Sequence, residues 1–176
     1  MTRQLGTPPD LQEAASRMAI LDILNTHCRG LDRCEADWIK STYWHDAVVD
    51  YGSFKGQAHA FADIVVPVLR RQYEMTQHVL GNTLFDIQGH LAKTESYLTA
   101  HHLLLGGRED LFYSGRYLDV LECRDGIWKL RSRRVVMDWS RRLEVEDERS
   151  TGSFADLAKG ANDRTDPIHE FWPKSD

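Results

Sequence analysis

From Leu11 onward, apolar residues return every three or four positions: Leu11, Ala15, Met18, Leu21, Leu24, Cys28 and Leu31. That is the period of a helix with one buried face. Asp10, placed after Pro8-Pro9, offers an N-cap, and Glu13 three residues on completes the capping-box spacing. The helix is predicted to run to about Arg33. Residues 35–37 break the pattern, and a short second helix is expected over 37–42, carrying Trp38 and Ile39. Residues 47–51 read as a strand closed by Gly52, with Tyr43, Trp44 and His45 filling the corner before it. Residues 57–74 return to helical spacing, with Phe61, Ile64, Val65, Val68 and Leu69 on one face. Pro67 implies a kink there, and Arg70 and Arg71 suit the negative end of the helix dipole.

Beyond residue 83 the period drops to two. Strands are predicted over 84–88, 92–105, 111–124 and 127–139, joined by turns at Gly89-His90, through 106–110 and at Asp125-Gly126. Short turns between successive long strands make an antiparallel meander. In the second of these strands the uncharged alternating set, Thr94, Ser96, Leu98 and Ala100, ends at His102 and is assigned to the interior. The same parity in the last strand groups Trp128, Leu130, Ser132, Arg134, Val136 and Asp138. After Trp139 the composition turns to charge. A short helix is expected within 152–160, and Ile168, Phe171 and Trp172 give the end of the chain anchors for docking. The reading is one domain over 1–140 and a tail over 141–176 that covers a cavity mouth or reaches a neighbouring subunit.

A chain of 176 residues, 41% hydrophobic and 28% charged, can bury a core with a pocket inside it. Its net charge of -5 argues against nucleic acid, whose binding needs Lys and Arg on phosphates. Arg131, Arg133 and Arg134 alternate with other residues along a strand and read as partly sheet surface. Cys28, Cys34 and Cys123 form no C-x-x-C pair, so neither a disulfide framework nor a zinc site is suggested. The start of the chain lacks the apolar core of a signal peptide, and no apolar run is long enough to cross a bilayer. A cytoplasmic protein with no membrane partner is expected.

The candidate chemistry sits at a few ionisable positions. Four residues beyond Cys28 the helical stripe reaches Asp32, and three beyond Leu24 it reaches His27. Asp32 either pairs with Arg29 or Arg33 at the surface or faces a pocket, where the negative helix end would raise the energy of its charge. His27 reads first as a core histidine. His78, in the stretch Met75-Thr76-Gln77-His78-Val79-Leu80-Gly81-Asn82, falls where helix gives way to sheet. Tyr43 can lend a phenol to a pocket, though an aromatic corner is more often packing. His101 and His102, adjacent in a strand, face opposite ways and cannot converge on one metal ion. Arg134, amid the uncharged positions Leu130, Ser132 and Val136 of its predicted face, partners a buried carboxylate or touches substrate.

The order helix, short helix, strand, helix, meander is that of an α+β cone, a curved sheet wrapped around a helix. Three stretches carry a closer resemblance: Arg29-Gly30-Leu31-Asp32-Arg33, Thr76-Gln77-His78-Val79-Leu80-Gly81-Asn82, and Gly115-Arg116-Tyr117-Leu118-Asp119 followed by Asp125-Gly126-Ile127-Trp128-Lys129-Leu130. Over roughly residues 10–140 they resemble the SnoaL-like branch of the nuclear transport factor 2-like superfamily. The resemblance implies a cone-shaped, curved mixed β-sheet around N-terminal helices, the cystatin-like α+β barrel. Hexachlorocyclohexane dehydrochlorinase, scytalone dehydratase and bile-acid dehydratase, members of that branch, use an aspartate on the first helix and a histidine before the sheet. Those roles map to Asp32 and His78. The pocket position five before the aspartate is His27 here, and the extra histidine of scytalone dehydratase maps to His102 or His101. The implied chemistry is a general acid/base lyase reaction needing no cofactor and no metal, on a small aromatic or alicyclic substrate in aromatic catabolism. It spans dehydration, dehydrohalogenation and the deformylation known from diarylpropane lyases. The same superfamily also supplies small subunits of ring-hydroxylating dioxygenases, ligand-binding modules and isomerases. A homo-oligomer, dimer or trimer, is the expected assembly.

Overall fold

The computed structural model describes residues 6–172. Helix α1 spans Leu11–Asp32, and Asp10 caps it by accepting a 2.7 Å hydrogen bond from the backbone N–H of Glu13. A short helix α2, Ala36–Ser41, leads into strand β1, Tyr43–Asp50, then a brief β2, Lys55–Gln57, and helix α3, Ala58–Gln72. Four long strands follow: β3, Tyr73–Gln88; β4, Leu91–Leu104; β5, Glu109–Arg124; and β6, Ile127–Glu144. After β6 come a single 3-10 turn over Gly152–Phe154 and helix α4, Ile168–Phe171.

The strands form one six-stranded mixed sheet in the order β2-β1-β6-β5-β4-β3, in which β1 runs parallel to β6 and every other pair is antiparallel. The sheet is curved and open, with the helices against one face, as the α+β expectation requires. Ile20, Leu24 and Leu31 of α1, Ile39 of α2, and Phe61, Val66 and Leu69 of α3 pack there on Tyr43, Ala47 and Val49 of β1 and on Leu121 and Leu130.

Several local expectations change. The stretch 75–82 is not a junction ahead of the sheet but the first half of β3, continuous with it except for an irregularity between Leu80 and Thr83. Tyr43, Trp44 and His45 are the first residues of β1 rather than a corner. In α1 the buried set is Ser16, Ile20, Leu24, His27, Cys28, Gly30, Leu31 and Asp32, while Leu11 and Met18 are exposed. The apolar period alone could not show that the helix touches the sheet mainly along its second half.

The largest correction concerns β6. Its pairing with β5 steps from Val120↔Ser132 to Leu121↔Leu130, so Arg131 has no opposite number. One extra residue reverses the side-chain parity beyond it. Trp128, Leu130 and Arg133 are therefore the buried set, with Arg133 2% exposed. Arg134 is turned outward instead, its side chain 69% exposed and 3.7 Å from Asp50.

Candidate active site

Asp32 is the last residue of α1, and α1 lies on β3. Alternation in β3 sends Thr76 and His78 to the same face, toward that helix end. The Asp32 carboxylate is held from three sides. Its Oδ1 accepts from His78 Nδ1 at 2.6 Å and from Thr76 Oγ1 at 3.1 Å. The backbone N–H of His78 donates to Oδ2 at 2.9 Å and to Oδ1 at 3.1 Å. Both side chains are largely enclosed, 9% exposed for His78 and 12% for Asp32. With Nδ1–H committed to the carboxylate, the neutral imidazole keeps its lone pair on Nε2, which can take a proton.

His102, on the inward face of β4, lies against this ring with centroids 5.3 Å apart and planes nearly perpendicular. Its Nδ1 donates to the Leu111 carbonyl at 3.2 Å, so its Nε2 also carries a lone pair. Burial, and then the neighbouring charge of His78, pull its pKa down to about 4. Near neutral pH it is therefore a hydrogen-bond acceptor rather than an acid. Leu80, Tyr113 and Val135, only partly buried, pack against a small core of Cys28, Leu98 and Tyr117.

His27 and Tyr43 belong to a second, drier cluster. His27 Nδ1 accepts from Arg133 Nη1 at 2.8 Å, which leaves Nε2–H to face the Tyr43 hydroxyl at 3.1 Å and that of Tyr51 at 3.4 Å. Arg133 also donates twice to Asp119, at 2.8 Å each, and lies 3.8 Å over the Tyr117 ring. Burial, the positive Arg133 and the charge on His78 all hold the pKa of His27 well below its usual value. The last of these ties the cluster electrostatically to His78.

Of the residues singled out from the sequence, the structure brings Asp32, His78 and His102 together and sets His27 with Tyr43 behind them. His101 points outward, bonded to Asp110 at 2.8 Å and edge-on to the Phe112 ring. Arg134 is outside as well. Sequence reasoning missed Thr76, Arg133 and Asp119. Thr76 stands two residues before His78, so period-two alternation was a sufficient signal for it. Asp119 alternates with Tyr117 and Leu121 on the same strand. No signal betrayed Arg133, because the bulge at Arg131 has no sequence mark. Among the described residues no group of three or more His, Cys, Asp or Glu side chains could hold a metal ion.

The profile of the SnoaL-like domain family matches residues 12–134. Hexachlorocyclohexane dehydrochlorinase 1 of Sphingobium indicum is 28% identical over 125 residues, 69% of this chain and 80% of that protein. Gamma-hexachlorocyclohexane dehydrochlorinase of the same species is 26% identical over 137 residues, covering 74% and 85%. A solved type 2 hexachlorocyclohexane dehydrochlorinase superposes with a TM-score of 0.70 at 25% identity, over 77% of this chain and 93% of the other. A scytalone dehydratase-like structure from Novosphingobium aromaticivorans shares the fold, with a TM-score of 0.68 at 20% identity over 76% and 91%. The match runs from the capped first helix to the buried end of the parity-shifted strand, and the chain belongs to the SnoaL-like family, within the nuclear transport factor 2-like superfamily.

Proposed function

We propose that this chain is a cofactor-independent lyase in which His78 is the general base and Asp32 its orienting partner, acting on a small alicyclic or aromatic compound by elimination. The observation that carries the reading is the 2.6 Å contact between Asp32 and His78 Nδ1, with the same carboxylate fixed by Thr76 and the His78 backbone. Dehydrochlorinases among the relatives support the reaction class.

The step is a base-promoted elimination. His78 Nε2 removes a proton from carbon, the electron pair of that C–H bond becomes the new π bond, and the adjacent carbon loses chloride or a hydroxyl group. Asp32 stabilises the imidazolium that forms and holds the ring in the reactive tautomer. A chloride leaves as the anion without help; a hydroxyl must gain a proton, and the imidazolium of His78 is the group that can return one. Neutral His102 accepts a hydrogen bond from a substrate hydroxyl or ordered water and so helps to orient the ring that reacts.

Chloride release from gamma-hexachlorocyclohexane, followed with product analysis by mass spectrometry, tests the halide branch; hydroxylated alicyclic compounds test the other. His78→Ala and Asp32→Asn should each reduce turnover by at least about 100-fold with the fold intact by circular dichroism. Rates within twofold of wild type in both variants would sink the dyad. A product that keeps all its substituents but moves a double bond would mark an isomerase using the same base.

A further inference from the structure

The tail beyond β6 lies outside the matched region, yet it returns to the end of α1 and the beginning of β3, the two places from which Asp32 and His78 come. Asp166 is the centre of that return. Only 7% exposed, its carboxylate accepts from Arg33 Nη1 at 2.7 Å, from the backbone N–H of Ala161 at 2.8 Å and from that of Ile168 at 3.0 Å. The same Arg33 nitrogen donates to the Ala161 carbonyl at 2.9 Å. Burial opposes the charge on Asp166, but the two backbone N–H groups and the guanidinium outweigh it and hold its pKa below the ordinary carboxylate range. The 161–168 loop is thus folded around one anion, and that anion grips the residue next to Asp32.

The neighbouring loop residue holds the other side. Asn162 Nδ2 donates to the carbonyls of Tyr73 and Glu74, at 3.3 Å each. Gly160 lies against Met75, close enough that an added Cβ would sit 3.2 Å from its Cε. Further contacts follow the same course: Arg70 Nε reaches the Asn162 carbonyl, His169 lies 3.4 Å from Glu35, and Arg29 stands between the rings of Trp38 and Trp172.

We infer that Asp166 and Asn162 are positioning residues for the reaction: the tail clamps the C-cap of α1 to the first residues of β3 and so sets the spacing of Asp32 and His78. This rests on the dyad reading. The physical reason is the steepness of the geometry. A 2.6 Å charge-assisted bond survives only small relative displacements of the two elements, and the 160–168 segment bridges them: Asp166 holds Arg33, Asn162 holds the start of β3, and Gly160 faces both Arg33 and Met75. If the tail served only to cover apolar surface, loosening it would lower stability without altering the imidazole.

The test uses the full chain with Asp166→Asn and Asn162→Ala, each compared with wild type and with Asp32→Asn. Nitrogen-15 correlation spectra of the histidine rings report whether His78 Nδ1 keeps its proton, and chloride release from gamma-hexachlorocyclohexane reports kcat and KM. The clamp variants should broaden or shift the His78 Nδ1–H signal toward its position in Asp32→Asn, and should lower kcat about tenfold with KM within twofold. A lower melting temperature with an unchanged His78 signal and unchanged kcat would overturn the clamp while leaving the dyad standing. Wild-type activity in Asp32→Asn would overturn the dyad itself. If Asp166→Asn fails to fold, Asn162→Ala, which removes only two part-buried bonds to the carbonyls of Tyr73 and Glu74, decides the matter by the same readings. If the chlorinated probe is not turned over, the ring spectra alone decide it.

Discussion

His78 and His102 carry the same side chain and lie edge to face, yet their Nδ1 partners give them different chemistry. A carboxylate behind His78 can stabilise a positive ring, whereas the Leu111 carbonyl behind His102 fixes a tautomer without supplying a charge. The consequence extends to stability. The folded pKa of His102, about 4, lies below its ordinary value of 6.5, so the folded state binds fewer protons than the unfolded chain between those limits. Its contribution is complete above the upper limit and is lost as pH falls through the window toward the lower one. Urea midpoints measured across that range should fall with pH. His102→Phe should flatten the slope in part, since His27, also buried neutral, adds to the same acid limb.

The elements owe their aim to two irregularities in one strand pair. Between β5 and β6 the register shifts once at Val120/Leu121 and again at Ser114/Gly115. The first turns Arg133 inward. At the second, Tyr113 folds back over Gly115 and donates its hydroxyl to the Val136 carbonyl at 2.8 Å. A Cβ at residue 115 would sit 2.2 Å from that carbonyl oxygen and 2.3 Å from the Tyr113 hydroxyl. Gly115→Ala should therefore destabilise by about 1–3 kcal/mol, read as a lower melting temperature. Tyr113→Phe in that background should recover only the hydroxyl's share, because the backbone oxygen stays in place.

Across the whole molecule, the buried ion pair Arg133–Asp119 joins what the elements separate. With both side chains fully enclosed, it links β5 and β6 directly and reaches α1 through His27 and β1 through Tyr43. Burial disfavours the guanidinium charge, but Asp119 and the surrounding hydroxyls more than offset this, so Arg133 stays cationic. Removing one partner leaves the other charge unpaired in the core. Arg133→Met should cost about 3–5 kcal/mol in chemical denaturation. Replacing Asp119 with Leu at the same time should recover most of it, because the uncompensated charge is then gone. The double variant should keep the His78–Asp32 signal in ring spectra, since neither residue of the dyad bonds to the pair.

Local patterning determined a good deal by itself. The capped first helix, the third helix, the long antiparallel strands and the α+β class all follow from periods of 3.6 and two, which backbone geometry imposes wherever one face is buried. Asp32 and the inward set ending at His102 were legible for the same reason: they extend those periods, whereas His78 drew notice only as a histidine at the predicted passage from helix to sheet. Tertiary structure alone decided the rest. A bulge adds one residue without any change in composition, so Arg133 and Arg134 exchange faces invisibly to parity. The stretch around His78 pairs with β4 because a partner strand is present, not because its own residues demand it. Whether a carboxylate at the end of one helix meets an imidazole forty-six residues later depends on how helix and sheet pack, and that is fixed by contacts far apart in the chain.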